Sequence, residues 1–292
     1  MREVTCAVLA AAIVASSVVR AEDHTAAAIV AEMRQALGGA EALDAVQTMR
    51  GHGVATRAFG ELRVTGEVEI AFALPDRYLR TDRLKVAGVT SEVVTVLNGA
   101  TFGQRATGPT GLRLDPAAGL EPGVRTVVAA GAARGARHDL ARLLLVLLGT
   151  APGAPLTFTT AGRAEAPDWT ADVLQVEGAD GFAIRLFVDS VTRRPLLLAW
   201  EAPDTSGAIR RITASYSAPD ADSPKVTTAD LLAQAQSFVE HRLYFSEFRR
   251  TDGLTWPHRL RRTAGGEPIE DIVFERLRIN PRLEPHHFDP DR

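Results

Sequence analysis

The alternation of apolar and polar side chains over residues 62–74 is the feature that most constrains the fold. The apolar members share one parity and are Leu62, Val64, Val68, Ile70, Phe72 and Leu74. The other parity is charged or hydroxylic as far as Glu69. Successive side chains of a strand point to opposite faces, so this period of two predicts a strand with one face in the core and one in water.

Further alternating segments separated by turn residues extend this pattern along the chain. They are 78–86, 93–97, 101–104, 156–160, 172–176, 182–188, 195–200, 209–216, 242–249, 256–262 and 268–279. Asn98-Gly99 predicts a type I′ hairpin turn, and short turns imply antiparallel pairing. The sequence therefore predicts an α+β fold with one large antiparallel sheet of about eleven strands.

Helical spacing appears in four places. In residues 25–37 a stripe of Ile29, Met33 and Leu37 runs to the stop signal Gly38-Gly39, and a short helix over 40–46 follows. A third helix is expected over 226–239, with a capping box from Thr227 to Asp230.

The fourth helix, 138–148, is the most hydrophobic segment outside the N-terminus. Its apolar stripe consists of Leu140, Leu143, Leu144, Leu147 and Leu148. It is too short to span a bilayer and falls between the two sets of strands, after a loop over 107–123. We expect this helix to cover the apolar face of the sheet.

The N-terminus is typical of a secretory signal peptide. Arg2 precedes an apolar run of about 14 residues, where a spanning helix needs roughly 20. Small residues at Val19 and Ala21 predict cleavage after Ala21. The predicted domains are therefore a signal peptide over 1–21 and a single exported domain over 22–292. The one cysteine, Cys6, lies in the signal, so the exported chain is expected to have no disulfide.

Charge and motifs argue against several functions. The formal net charge of the 292 residues is -3, which lacks the basic excess that nucleic-acid binding requires. The chain has no G-x-S-x-G, H-E-x-x-H, P-loop or C-x-x-C motif. Asp189 and Glu201 are weak candidates for a catalytic acid and base. His286-His287 is a weak candidate for a metal site. We expect no enzyme activity, no metal and no cofactor.

Adjacent arginines occur four times, at 193–194, 210–211, 249–250 and 261–262. Neighbours on a strand point to opposite faces, so each pair contributes at most one arginine to any surface. The simplest interpretation is a solvated outer face, and the alternative is contact with anionic lipid or a partner.

Several segments resemble the LolA/LolB-like superfamily of lipoprotein carriers. They are the helix end at 37–39, the turn LPDRY at 74–78, VD at 188–189 with TRRPL at 192–196, YFSEFR at 244–249 with DGLTWP at 252–257, and INP at 279–281 with FDP at 288–290. The resemblance implies an unclosed β-barrel whose concave apolar face is covered by helices and holds acyl chains.

The expected function is that of a periplasmic, monomeric carrier or binding protein for lipid or lipoprotein acyl chains. The alternative is a sensor module of the RseB kind that regulates an envelope protein, with the groove closed. The candidate lining residues, which could equally be ordinary core, are Leu62, Val64, Val68, Ile70, Phe72, Leu74, Leu140, Leu143, Leu144, Leu147, Leu186, Leu198, Trp200 and Tyr216.

Overall fold

The computed structural model describes residues 25–290 except 61, 87–88, 109–112, 115–121 and 204–236. Three predictions fall wholly or largely outside these ranges: the signal over 1–21, the strand over 209–216 with Tyr216, and the helix over 226–239. Of that last segment, residues 238 and 239 are described and are strand, so the helix does not extend to its expected end.

Three helices and thirteen strands make up the described part of the chain. The helices are α1 (Ala26–Leu37), α2 (Ala40–Asp44) and α3 (Pro122–Leu148). The strands before α3 are β1 (Thr48–Phe59), β2 (Leu62–Ala73), β3 (Arg77–Val86), β4 (Val89–Asn98), β5 (Thr101–Thr107) and β6 (Arg113–Leu114). Those after it are β7 (Thr157–Ala166), β8 (Trp169–Glu177), β9 (Ala183–Asp189), β10 (Pro195–Pro203), β11 (Phe238–Thr251), β12 (Leu254–Ala264) and β13 (Glu267–Ile279).

All thirteen strands join one antiparallel sheet in the order β6-β5-β4-β3-β2-β1-β13-β12-β11-β10-β9-β8-β7. The chain meanders outward from β1 to one edge, crosses through α3 to the other edge, and meanders back until β13 pairs with β1. The sheet is not closed, because β6 and β7 are its two ends. The predicted α+β class with an unclosed antiparallel sheet is confirmed, with two more strands than expected.

The face of the sheet that carries Ile70, Phe72 and Phe274 packs against α1 and α3, and we call it the inner face. Ile29, Met33 and Leu37 of α1 point into this core as the helical stripe predicts. Thr25 caps α1 by accepting a hydrogen bond from the Ala28 amide, and Gly38 ends it with a φ of 137°.

Helix α3 is longer than its sequence pattern indicates. It begins at Pro122 instead of at residue 138, so the end of the predicted loop over 107–123 is the start of a helix. The added segment is rich in alanine, a strong helix former, and carries no continuous apolar stripe, because its residues 125–131 are exposed and only Ala136 is buried among those whose burial is described. Val127 is 72% exposed, whereas Leu144 and Leu145 are buried.

The C-terminal end of α3 is fixed to its surroundings by hydrogen bonds. The Trp256 indole Nε1–H donates to the Leu147 carbonyl at 2.9 Å, and the Arg34 guanidinium donates to the Leu148 carbonyl at 2.6 Å. These carbonyls have no partner within the helix, so the two side chains act as its cap. One end of α3 is therefore anchored while the other is exposed.

Close packing of β1 against β13 depends on glycine. A Cβ on Gly53 would lie 2.0 Å from the Val273 carbonyl oxygen, at a point where the register of the two strands shifts. A Cβ on Gly51 would lie 2.8 Å from the Phe274 ring. Because the two glycines have no side chain, β1 can approach β13 closely and the Phe274 ring can lie over β1.

Two smaller features complete the fold. The hairpin between β4 and β5 differs from the predicted type I′ turn: Asn98 pairs with Thr101, and Gly99 has a positive φ while Asn98 does not. On the outer face, Phe288 packs against Leu79, Val94 and Val96 as the end of the chain crosses the sheet. No helix in the described ranges is long and apolar enough to cross a bilayer.

Candidate functional site

A cavity of about 60 Å³ lies between α3 and the inner face of the sheet. Most of its wall is apolar, with Leu143, Val146 and Leu147 on the helix side. The sheet side adds residues from strands that precede α3 and from strands that follow it, including Ile70 of β2, Trp200 of β10 and Leu260 of β12. The cavity therefore spans the junction of the two meanders.

The predicted lining residues fall into three groups. Those that line the cavity are Ile70, Leu143, Leu147 and Trp200. Those that lie in the surrounding core without lining it are Val68, Phe72, Leu140, Leu144, Leu186 and Leu198, with Leu74 partly buried against them. The structure thus brings the middle of β2 together with the C-terminal third of α3 and the centre of β10.

The remaining predicted residues lie away from the cavity. Leu62 is 41% exposed at the start of β2, where the strand projects beyond the core. Val64 is buried but does not belong to the core around the cavity. Tyr216 is outside the described residues.

One end of the inner face carries an ion cluster formed by Arg57, Arg80, Asp82 and Glu270. The Arg80 guanidinium forms two hydrogen bonds with Asp82, at 2.9 and 3.0 Å, and a third with Glu270 at 2.5 Å. Arg57 bridges the same two carboxylates at 2.8 and 3.0 Å. Both carboxylates are buried, so each charge is compensated within the cluster.

The electrostatics of this cluster follow from burial and from the arginines. Burial alone would raise the pKa of Glu270, but the guanidiniums of Arg80, Arg262 and Arg57 outweigh it and hold the pKa well below 4.5. Burial also raises the pKa of the adjacent Tyr78 phenol well above its ordinary value. Tyr78 is therefore neutral and Glu270 ionised at neutral pH.

Two further arginines reach the cavity from opposite walls. Arg142 of α3 forms a hydrogen bond with Asp139 at 2.9 Å, and its guanidinium lies 4.1 Å from the centre of the Trp200 ring. Arg262 of β12 pairs across the sheet with Glu270. Burial lowers the pKa of Arg142, and the positive charge of Arg262 lowers it further.

These charged residues were not predicted as lining residues from the sequence, although their position in the alternation of each strand indicates that they face inward. Arg80 and Asp82 share the inward parity of Tyr78 in β3, and Glu270 shares that of Ile272 and Phe274 in β13. The expectation that adjacent arginines point to opposite faces does hold at 261–262, because Arg261 is exposed and Arg262 lines the cavity.

The weak catalytic and metal candidates have structural roles. Asp189 accepts hydrogen bonds from the amides of Val191 and Thr192 in a turn. Burial would raise its pKa, but the hydrogen bonds from Thr192 lower it. Glu201 is exposed. His286 and His287 stack on each other with ring centres 4.5 Å apart, and the described residues contain no group of three metal-ligating side chains.

Comparison with known proteins gives similarity at the level of folds. No protein family model matches the chain, and no curated protein matches its sequence. The chain is similar to the crystal structure of a DUF1329 family protein from Desulfovibrio piger, with 13% identity, a TM-score of 0.49, and coverage of 91% of this chain and 98% of that one.

Two other solved structures are also similar to this chain. A LolA superfamily protein from Nitrosomonas europaea is 10% identical with a TM-score of 0.47, covering 91% of this chain and 98% of that one. An outer membrane lipoprotein-sorting protein domain from Vibrio parahaemolyticus is 11% identical with a TM-score of 0.48, covering 90% and 95%.

Proposed function

We propose that this protein is an exported, non-enzymatic binding protein that takes up the acyl chain of a lipid or lipoprotein between α3 and the inner face of the sheet. The observation that carries this proposal is the largely apolar cavity beneath a helix that is anchored at one end. The signal expected over residues 1–21 would place the protein in the periplasm.

The volume of the cavity defines how such a ligand would enter. An apolar cavity of about 150 Å³ accommodates a molecule the size of benzene. The cavity here measures about 60 Å³, so an acyl chain needs α3 to separate from the sheet. Because Trp256 and Arg34 hold the C-terminal end of α3, the separation would begin at the exposed N-terminal half.

Burial of an acyl chain would contribute free energy toward this opening. Burial of about 15 methylene groups at roughly 0.8 kcal/mol each contributes on the order of 12 kcal/mol. Part of this is offset by the immobilisation of the chain and by the displacement of α3. Micromolar binding therefore requires no catalytic or covalent group.

The proposal is tested by native mass spectrometry of the protein extracted gently from the periplasm, together with titration of a fluorescent fatty acid. We expect co-purifying lipid and saturable binding. Leu143→Trp, which fills the cavity, should weaken binding at least tenfold, whereas Val127→Trp on the exposed part of the same helix should not. A protein that carries no lipid and binds no fatty acid contradicts the proposal.

A second candidate is an interaction module that regulates an envelope protein, and the small volume of the cavity favours it. In this case the exposed N-terminal half of α3, with Val127 and Val128, would contact the partner. Crosslinking in the periplasm should then capture one envelope protein. Capture should survive Leu143→Trp and be lost in Val127→Glu/Val128→Glu, the reverse of the pattern expected for lipid binding.

A further inference from the structure

The cavity contains two arginines whose hydrogen-bonding capacity is only partly used within the described residues. The Nε atoms of Arg142 and Arg262 are both buried and have no hydrogen-bond partner there. The Arg142 side chain is only 11% exposed. In contrast, Arg57 and Arg80 donate their Nε–H groups to carboxylates in the ion cluster. A buried donor without an acceptor is costly, so this pair is suited to a further acceptor.

The charges that line the cavity support an anionic acceptor. Three guanidiniums, of Arg80, Arg142 and Arg262, face two carboxylates, of Asp139 and Glu270. Glu270 is bound by Arg80 and Arg57, and Asp139 by Arg142, so both carboxylates are engaged. The lining therefore has an excess of one positive charge beside an apolar wall.

We propose that Arg142 and Arg262 form a subsite for the anionic head group, a carboxylate or a phosphate, of a single-chain amphiphile. Guanidinium groups bind both oxyanions through paired N–H donors. The cavity of about 60 Å³ is several times the roughly 10–15 Å³ of such volume that one water molecule needs, so it has room for a compact head group. This inference rests on the proposed acyl-binding function, and it specifies which end of the ligand lies between α3 and β12.

The positions of the arginines also indicate how the head group would affect α3. Arg142 belongs to the C-terminal third of the helix and Arg262 to the sheet, so one anion bound to both would bridge the two walls of the cavity. It would also relieve the repulsion between the two guanidiniums that lowers the pKa of Arg142. An anionic amphiphile is therefore expected to hold the C-terminal third of α3 against the sheet more firmly than a neutral one, while the N-terminal half separates to admit the acyl chain.

The test uses calorimetric titration of the exported protein with three probes of equal chain length: dodecanoate, dodecyl phosphate and dodecanol. We expect at least one of the two anions to bind about tenfold tighter than dodecanol. Arg142→Gln and Arg262→Gln should each bring the ratio of the affinities for that anion and for dodecanol to near one. Comparison of the two anions identifies carboxylate or phosphate as the preferred head.

Two control variants keep the result interpretable. Arg261→Gln, which removes the exposed neighbour of Arg262, should not change the affinity for any probe. Arg262→Lys should retain part of the preference for the anion because it retains the charge. If Arg142→Gln does not fold, the Arg262 variants alone decide the test.

The outcomes separate this inference from the proposed function. Equal affinity for dodecanol and both anions, unchanged in Arg142→Gln and Arg262→Gln, overturns the subsite and leaves the acyl-binding function standing. Binding of none of the three probes contradicts the proposed function, and the subsite with it.

Discussion

Inward-facing charges at one end of the inner face are compatible with folding because each meets a partner of opposite sign from another strand. Arg80 of β3 and Glu270 of β13 are separated by 190 residues in sequence and lie 2.5 Å apart. Arg57 completes the arrangement from β1. Removal of one member would leave the others as uncompensated buried charges, which costs more than the intact cluster contributes.

Glu270→Gln should therefore lower the free energy of unfolding by about 3 kcal/mol at pH 7, measured by urea denaturation. The folded-state pKa of Glu270 is depressed, so its stabilisation is present above pH 4.5 and is lost as the pH falls below that value. The difference in free energy of unfolding between the wild type and Glu270→Gln should narrow by about 1.4 kcal/mol per pH unit below 4.5.

Glu201→Gln is the control, since Glu201 lies at an exposed site, and it should change the free energy of unfolding little. An equal pH dependence of stability in the wild type and in Glu270→Gln would contradict the assignment.

At the scale of the elements, glycine is required for packing in β1 but not in α3. In β1, Gly53 sits at the register shift beside Val273, where the backbone of β13 leaves no room for a side chain. In α3, Gly131 has nothing within 4 Å of its would-be Cβ. The first glycine is required by packing, whereas the second only adds conformational freedom to the unfolded chain.

Gly53→Ala and Gly131→Ala should consequently change stability in opposite directions. We expect Gly53→Ala to lower the free energy of unfolding by about 2–3 kcal/mol through overlap with the Val273 carbonyl. Gly131→Ala should raise it by about 0.5–1 kcal/mol because alanine favours the helix. Chemical denaturation of both variants checks this, and a neutral Gly53→Ala would mean that β1 and β13 are further apart than described.

At the scale of the whole molecule, the sheet is completed only when the last strand pairs with the first. Met49 of β1 lies opposite Ile279 of β13, so the core around the cavity contains residues from both ends of the domain. Such long-range pairing folds slowly. We therefore expect slow refolding of the domain after dilution from denaturant.

The proposed export predicts a defined mature chain. Protein recovered from the periplasm should begin at Glu22, as measured by intact mass or N-terminal sequencing, because Val19 and Ala21 provide the small residues that a signal peptidase reads. Ala21→Lys should leave the uncleaved precursor at the membrane. Recovery of wild-type protein that still carries residue 1 would contradict the prediction.

Much of the local structure could be predicted from the sequence. The stripe ending at Leu37 placed α1, and the parity of Val68, Ile70 and Phe72 placed the buried face of β2. The first half of α3 was missed because exposed alanine and glycine carry no periodic signal. Within the candidate site, Ile70 and Leu143 were identified as lining, but Arg142 and Arg262 were not, since a charged residue is normally assigned to solvent.

The sequence by itself determined most of the secondary structure, the antiparallel pairing of neighbouring strands and the apolar face of the alternating strands, because these depend on side chains a few residues apart. Only the tertiary structure decided that β1 meets β13, that Arg80 finds Glu270, and that Arg142 and Arg262 reach one cavity. The reason is that a period of two specifies which face a residue occupies but not which distant strand lies beside it. That choice is made by the packing of the whole sheet against α3.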